Sequence, residues 1–274
     1  MCFSPFQALL AIVGFTFSLA PSWAIAASYG EELSAPDARV AYRDVADENG
    51  HFGAPLVTRT SLLFRSSDAE IECRACVDET LALEDRLSMQ IDSAEGQGVE
   101  ILSLTQWADW RLENYDPEGF AQVSITGSVL IKILEVDGAK IDSITRRFAL
   151  EYAQQNTLPL SFGPKRTIGI DGAGFDSGNA LGRIESLDVE RMLLEAGGQG
   201  KVTSIGLVFE TRLTAKHAAL NAGSGRAWIG MTDFDVFVRD RILPSEALPQ
   251  IPEPGAALLM ALGLALLGRR GDRE

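Results

Sequence analysis

The sequence is poor in the residues from which catalytic and metal centres are most often built. Its 274 residues include two histidines, His51 and His217, and three cysteines. No Gly-x-Ser-x-Gly elbow and no His-Glu-x-x-His pair occurs, so the local signatures of an α/β-hydrolase and of a zinc hydrolase are missing. Basic residues are scarce too: 24 Lys and Arg face 38 Asp and Glu, for a net charge of −14. There is no basic tract, and a surface of that sign repels polyanions, which excludes a nucleic-acid partner. Gly 26 and Pro 11 are too few for collagen. With 46% hydrophobic and 23% charged residues the chain is neither a disordered polymer nor a multi-span membrane protein.

What the chain does have is concentrated first at its ends. Met1 to Ala26 contains no Lys, Arg, Asp or Glu. An apolar run from Ala8 to Phe15 leads to Ala24-Ile25-Ala26-Ala27, and Ala24 and Ala26 fit the −3 and −1 positions of a signal-peptidase site. A positively charged n-region is missing. Cys2 precedes the apolar run and leaves with the signal peptide, so it is no lipobox cysteine. At the other end Pro252-Glu253-Pro254 is followed by an uncharged apolar run, 255–268, and by Arg269, Arg270 and Arg273. An apolar helix capped by arginines is a stop-transfer segment with its basic end on the cytoplasmic side. The run is short against the roughly 17–25 residues of a full span, which suits a transient sorting helix better than a permanent anchor.

These last residues, 251–274, resemble the PEP-CTERM sorting signal of Gram-negative bacteria. Pro252, Glu253 and Pro254, the apolar helix, and Arg269 and Arg270 stand in the order that signal requires, although Gly271-Asp272-Arg273-Glu274 dilutes the basic end. The resemblance implies signal peptidase and an exosortase as processing partners. It also implies an exported cell-surface or extracellular location, and an association with exopolysaccharide and biofilm matrix. An ordinary single-pass anchor that is never cleaved is the alternative.

Between the ends lies one exported domain, 27–250, long enough to bury a sizeable core. Its charge is still −14, because each sign loses three residues with the tail. Apolar residues recur there with period two, as in Val123 to Ile133 and in Ile205, Leu207, Phe209, Thr211 and Leu213, which is the mark of half-buried strands. Val136-Asp137-Gly138-Ala139 is a hairpin signal. Phase slips at Ile141/Ile144 and at Thr232-Asp233 predict bulges. Residues 56–65, 69–77, 87–92, 99–105, 140–152 and 228–239 add further strands. Ile184, Leu187, Arg191 and Leu194 predict a short helix over 184–196, stopped by Gly197-Gly198. The fold expected is a mostly β antiparallel sandwich or jelly roll with one short helix.

Candidate chemistry in this domain is thin. Cys73 and Cys76 are the cysteines left after export, and an oxidising compartment favours a disulfide between them. That bond requires Cys73-Arg74-Ala75-Cys76 to turn, since three residues of strand span about 10 Å; free thiols and a redox or metal role are the alternatives. His51 and His217 lie in polar stretches and are expected at the surface. Gly169 to Asn179 reads as a glycine-rich surface loop. Its Asp171, Asp176 and Asn179 are of the type that converges on calcium, and Gly172 to Asp176 resembles part of a calcium-binding nonapeptide repeat, in a single copy. Asp44 to Gly50 is a weaker candidate of the same kind. Trp107 and Trp110 could stack on sugar rings, or feed a core from an edge strand. No catalytic residue is identified, and no cofactor beyond that calcium is implied.

The reading is a non-catalytic structural or adhesive surface protein. A carbohydrate-binding module, or a glycan-active enzyme with an unlocated carboxylate pair, is the alternative. Amino-terminal sequencing of surface-extracted protein should begin at or beside Ala27. Its intact mass should lack the residues after Pro254 only where an exosortase is present. An intact Met1, or equal masses that retain Arg269 and Arg270, would contradict these expectations.

Overall fold

The computed structural model describes residues 27–66, 68–74, 76, 79–154, 162–219 and 225–239. The expected signal peptide with Ala24 and Ala26 lies outside these residues, as does the tail with Pro252, Glu253, Pro254, Arg269 and Arg270. No helix among the described residues is long and apolar enough to cross a membrane.

The first six strands are β1 (Ala27–Ser28), β2 (Glu32–Leu33), β3 (Val40–Asp47), β4 (Pro55–Val57), β5 (Ser61–Arg65) and β6 (Glu70–Cys73). Longer strands follow: β7 (Leu81–Ser93), β8 (Ile101–Asn114), β9 (Phe120–Val136), β10 (Ala139–Ala149), β11 (Glu151–Gln154), β12 (Lys165–Asp171) and β13 (Gly174–Asp188). A helix, α1 (Val189–Glu195), precedes β14 (Val202–Ala218) and β15 (Gly225–Arg239). Two antiparallel sheets result. The first has the order β1-β3-β7-β14-β9-β10, with β2 on β3 and β12 on β9; the second has the order β11-β13-β8-β15-β5-β4, with β6 on β15. The chain changes sheet repeatedly, for example between β7 and β8, between β8 and β9, and between β14 and β15, so sequence neighbours face each other across one core.

Period two explains which side each strand buries. In β14, Ile205, Leu207, Phe209, Leu213 and Ala215 point inward at 0% exposure, while Glu210, Arg212 and Lys216 point outward. In β8 the even positions Leu102, Leu104, Ala108 and Leu112 are buried. In β15 Ala227, Ile229 and Met231 are inward; a bulge between Met231 and Asp233 then shifts the phase to Phe234, Val236 and Val238. Phe209 from one sheet stacks on Phe234 from the other, with centroids 4.0 Å apart, and Phe52 meets both rings edge-on.

The hairpin from β9 to β10 turns on Asp137 and Gly138, at φ of 50° and 76°. Positive φ at both central residues is the type I′ geometry that follows strand twist. The register shift between Lys140 and Ile144 is the expected bulge. The helix is shorter than expected. Ile184 and Leu187 belong to β13, where they pair with Leu104 and Leu102 around another bulge. Three residues on β13 there match two on β8, which counterfeits helical spacing. The helix begins only after Asp188, whose carboxylate accepts the Arg191 amide at 2.8 Å as an N-cap. The expected loop over 169–179 is also corrected: it holds the end of β12 and the start of β13, and the chain crosses between sheets at Gly172-Ala173.

Polar groups cross the apolar interior at Gln106. Gln106, 0% exposed, donates from Nε2 to Thr211 Oγ1 at 2.8 Å, and its carbonyl accepts the Tyr152 hydroxyl. Thr211 Oγ1 lies 3.3 Å from the Thr126 carbonyl. Gln106 and Tyr152 belong to the second sheet, Thr211 and Thr126 to the first, so the network joins the layers. Two glycines make room for the ring: a Cβ on Gly182, the β13 partner of Tyr152, would overlap the ring, and one on Gly127 would meet its hydroxyl. Gly182→Ala should therefore destabilise the protein by about 1–3 kcal/mol. Gly163→Ala, whose added Cβ would come no nearer than 3.8 Å to the Lys165 carbonyl, should change little. Urea unfolding midpoints check both, and equal midpoints would contradict the packing account.

Candidate functional site

Two buried carboxylates come first, because a buried acid pair is what a glycan-active enzyme would need. Asp47 is 0% exposed and Asp85 is 4% exposed. Their oxygens are occupied by the backbone of the turn after β3. Asp47 Oδ1 accepts the Gly50 amide at 2.9 Å, and Oδ2 accepts the Phe52 amide at 2.7 Å. Asp85 Oδ2 accepts the His51 amide at 3.3 Å, and the Asn49 amide donates to Oδ1 of both acids, at 3.3 and 3.2 Å. Burial pushes the Asp85 carboxyl up to about 6; the Arg86 amide opposes the rise and the Asp47 charge adds to it. The pair thus fixes the turn that delivers Phe52 to the core. Asp47, expected in a weak calcium loop, has its oxygens turned to amides instead.

The expected calcium residues do not converge. Asp171 ends β12 in the first sheet, whereas Asp176 and Asn179 belong to β13 in the second. Asp176 and Asn179 are three residues apart on one strand and so face opposite ways. Asn179 Nδ2 donates to Asp109 Oδ1 at 2.6 Å. Among the described residues no group of three His, Cys, Asp or Glu is placed to hold a metal.

Cys73 and Cys76 are joined as a disulfide with Cα atoms 5.7 Å apart. Cys73 ends β6 inside the core at 0% exposure, so the bridge closes the turn as the chain leaves the sheet. His217 corrects a sequence expectation. It faces inward from β14 at 1% exposure, and neither ring nitrogen completes a well-formed hydrogen bond among the described residues. Burial holds its ring below the ordinary histidine range, against the opposing influence of the Arg74 backbone and the Asp116 charge. The polar sequence around it hid the inward position, which period two along β14 reveals.

Trp107 and Trp110 are separated by the same rule. Trp110 is 2% exposed on the inner face of β8, while Trp107 is half-buried on the outer face, level with Leu181 and Asp233. They cannot act as one stacking platform. The aromatic that the sequence reading missed is Trp228. It stands on the outer face of β15, level with Arg111 of β8 and Glu72 of β6. Its Nε1 donates to Glu70 Oε2 at 3.1 Å. A Cβ on Gly230 would lie 2.9 Å from the indole Cζ2, so that glycine makes room for the ring. Trp228, Glu70, Asp109, Arg111, Asn179 and Arg226 line a shallow groove of about 610 Å³ across β6, β15, β8 and β13. Arg226 bonds Glu113 at 2.9 Å and Glu72 at 3.3 Å. The signal available in the sequence was the phase of Trp228, opposite to the buried Ala227 and Ile229.

No protein-family model matches the chain, and no curated protein matches it. Among solved structures it is similar to the infectious bursal disease virus Gt strain at 15% identity, over 77% of this chain and 48% of that one, with a TM-score of 0.16. A VP2 subviral particle of infectious bursal disease virus gives 11% identity, 84% and 59% coverage and a TM-score of 0.15. Botulinum neurotoxin type C, in a structure concerned with its interaction with two ganglioside molecules, gives 9%, 65%, 46% and 0.15. The chain spans about half the length of these chains, and at such TM-scores the likeness carries no argument.

The buried acids generate a pH prediction. The folded protein keeps the Asp85 proton up to about pH 6, whereas an unfolded chain releases it near about pH 4. Between those values the folded state binds more protons, so the Asp85 contribution to stability falls as pH rises from about 4 to about 6 and stays low above. Glu72, Glu195 and Glu210, held low by bonds to Arg74, Arg146 and Arg147, act in the opposite sense at more acid pH. They are common to wild type and Asp85→Asn. Urea midpoints across this range should therefore show a wild-type loss of about 1 kcal/mol that the variant lacks. Parallel profiles would contradict the assignment.

Proposed function

We propose that residues 27–250 form the non-catalytic domain of an exported, exosortase-processed protein of the cell surface or extracellular matrix, with a structural and adhesive role. In this reading the two sheets form a sandwich of the jelly-roll kind. The observation that carries it is the occupation of the Asp47 and Asp85 oxygens by the backbone amides of residues 49–52. A general acid or nucleophile must face substrate, and these carboxylates face their own chain. The resemblance of the tail to a sorting signal supports the location. The outer face of the first sheet is laced by cross-strand ion pairs, such as Arg212 with Glu84 at 3.3 Å and Arg147 with Glu210, which suits a soluble scaffold.

A second reading, a glycan-binding module, is favoured by the Trp228 groove and shares the same location. Fractionation of producing cells should recover the protein with the surface and matrix material, and the purified exported protein should release no reducing ends from that material. Sugar release that disappears in Asp85→Asn or Asp109→Asn would overturn the non-catalytic reading. Exclusive recovery from the cytoplasm would overturn the exported one.

A further inference from the structure

We propose that the groove on the outer face of the second sheet binds a neutral pyranose unit of a glycan chain, with Trp228 as the stacking face and Asp109, Asn179 and Arg111 as hydroxyl contacts. The proposal rests on the adhesive reading above for its biological setting, and on the groove itself for its chemistry.

The groove of about 610 Å³ is of a size that small ligands occupy, about 300–1,000 Å³. Its aromatic wall is set in advance. The bond from Trp228 Nε1 to Glu70 and the space left by Gly230 fix the indole, so little side-chain freedom is lost on binding. An indole face offers the apolar contact that the C–H face of a sugar ring takes up. Donor and acceptor stand side by side beyond it. Asn179 Nδ2 donates to Asp109 Oδ1 at 2.6 Å, which leaves the second Asp109 oxygen and the Asn179 carbonyl to accept. Arg111, level with Trp228 on the neighbouring strand, has no ion-pair partner among the described residues and adds donors. A hydroxyl both donates and accepts, so a ring bearing adjacent hydroxyls matches this alternation.

The ligand is neutral because Glu70, Glu72 and Asp109 line the groove, Arg226 is engaged by Glu72 and Glu113, and the chain carries −14.

The test is calorimetric titration of the purified exported protein with cellotetraose, maltotetraose and tetragalacturonate. At least one neutral probe should bind with a Kd of about 1 mM or tighter, and tetragalacturonate should bind more weakly. Trp228→Ala and Asn179→Ala should each weaken the neutral probe by about tenfold or more, and Trp107→Ala by less than about twofold. Circular dichroism melts check that the variants fold, and Trp228→Phe, which keeps a flat ring, should retain most of the affinity if Trp228→Ala does not fold. Failure of both neutral probes, tighter binding of tetragalacturonate, or full affinity in Trp228→Ala and Asn179→Ala overturns the groove assignment. Matrix recovery is measured on the same variants. Matrix association that survives loss of probe binding overturns the groove as the adhesive surface, while probe binding without matrix association overturns the adhesive setting.

Discussion

The Tyr152 hydroxyl donates to the Gln106 carbonyl in the space between two apolar sheets. Much of the packing follows from the need to keep that contact satisfied. A buried amide that lost its partner would cost about 1–3 kcal/mol, so ring, amide and the Thr211 hydroxyl must arrive together. The ring in turn needs Gly182 beside it and Gly127 opposite it. Apolar contacts tolerate small sliding of one sheet over the other, because dispersion is weakly directional; a chain of hydrogen bonds across the layers does not. Burial pushes the Tyr152 hydroxyl well above its ordinary range, which favours the protonated form that donates. The network therefore fixes the relative register of the sheets as well as adding to their cohesion.

This division of labour explains where recognition chemistry can stand. The interior is committed: Asp47 and Asp85 hold a turn, His217 is buried on the inner face of β14, and Cys73 and Cys76 close the exit of β6. What remains for a partner is on the outer faces. On the first sheet charged side chains pair across the strands, as Arg212 does with Glu84 and Arg147 with Glu210. On the second, a planar aromatic is set among acceptors and donors. The two outer faces differ in character although both strands and spacing are alike.

Period two made the architecture legible. The alternation in 123–133 and 205–214, the Asp137-Gly138 turn and the phase slips at Ile144 and Asp233 all describe features of the two sheets. Failures arose where another rule produced the same letters. The β13 bulge put Ile184 and Leu187 three apart, as a helix would. Glycines at 169, 174 and 178 erased the side-chain alternation of two real strands, so a chain crossing looked like a loop. The site was less legible, because its residues come from four strands far apart in sequence and meet only through sheet order. Trp107 and Trp110 drew attention by proximity along the chain, yet odd and even positions on a strand never share a face. Trp228 could have been chosen by phase, but nothing local announced Glu70, Asp109 and Asn179 as its neighbours.

The position of β15 has a mechanical consequence. It lies inside its sheet, paired with β8 along nearly its whole length and with β5 and β6 on the other side. A force along the axis of β15 would load its ladder bonds together in shear. At the opposite end β1 contributes two residues to the edge of β3, and a force across that edge would part the pairs one after another. The last strand is therefore held by many ladder bonds on both sides, and the first by two residues at one edge.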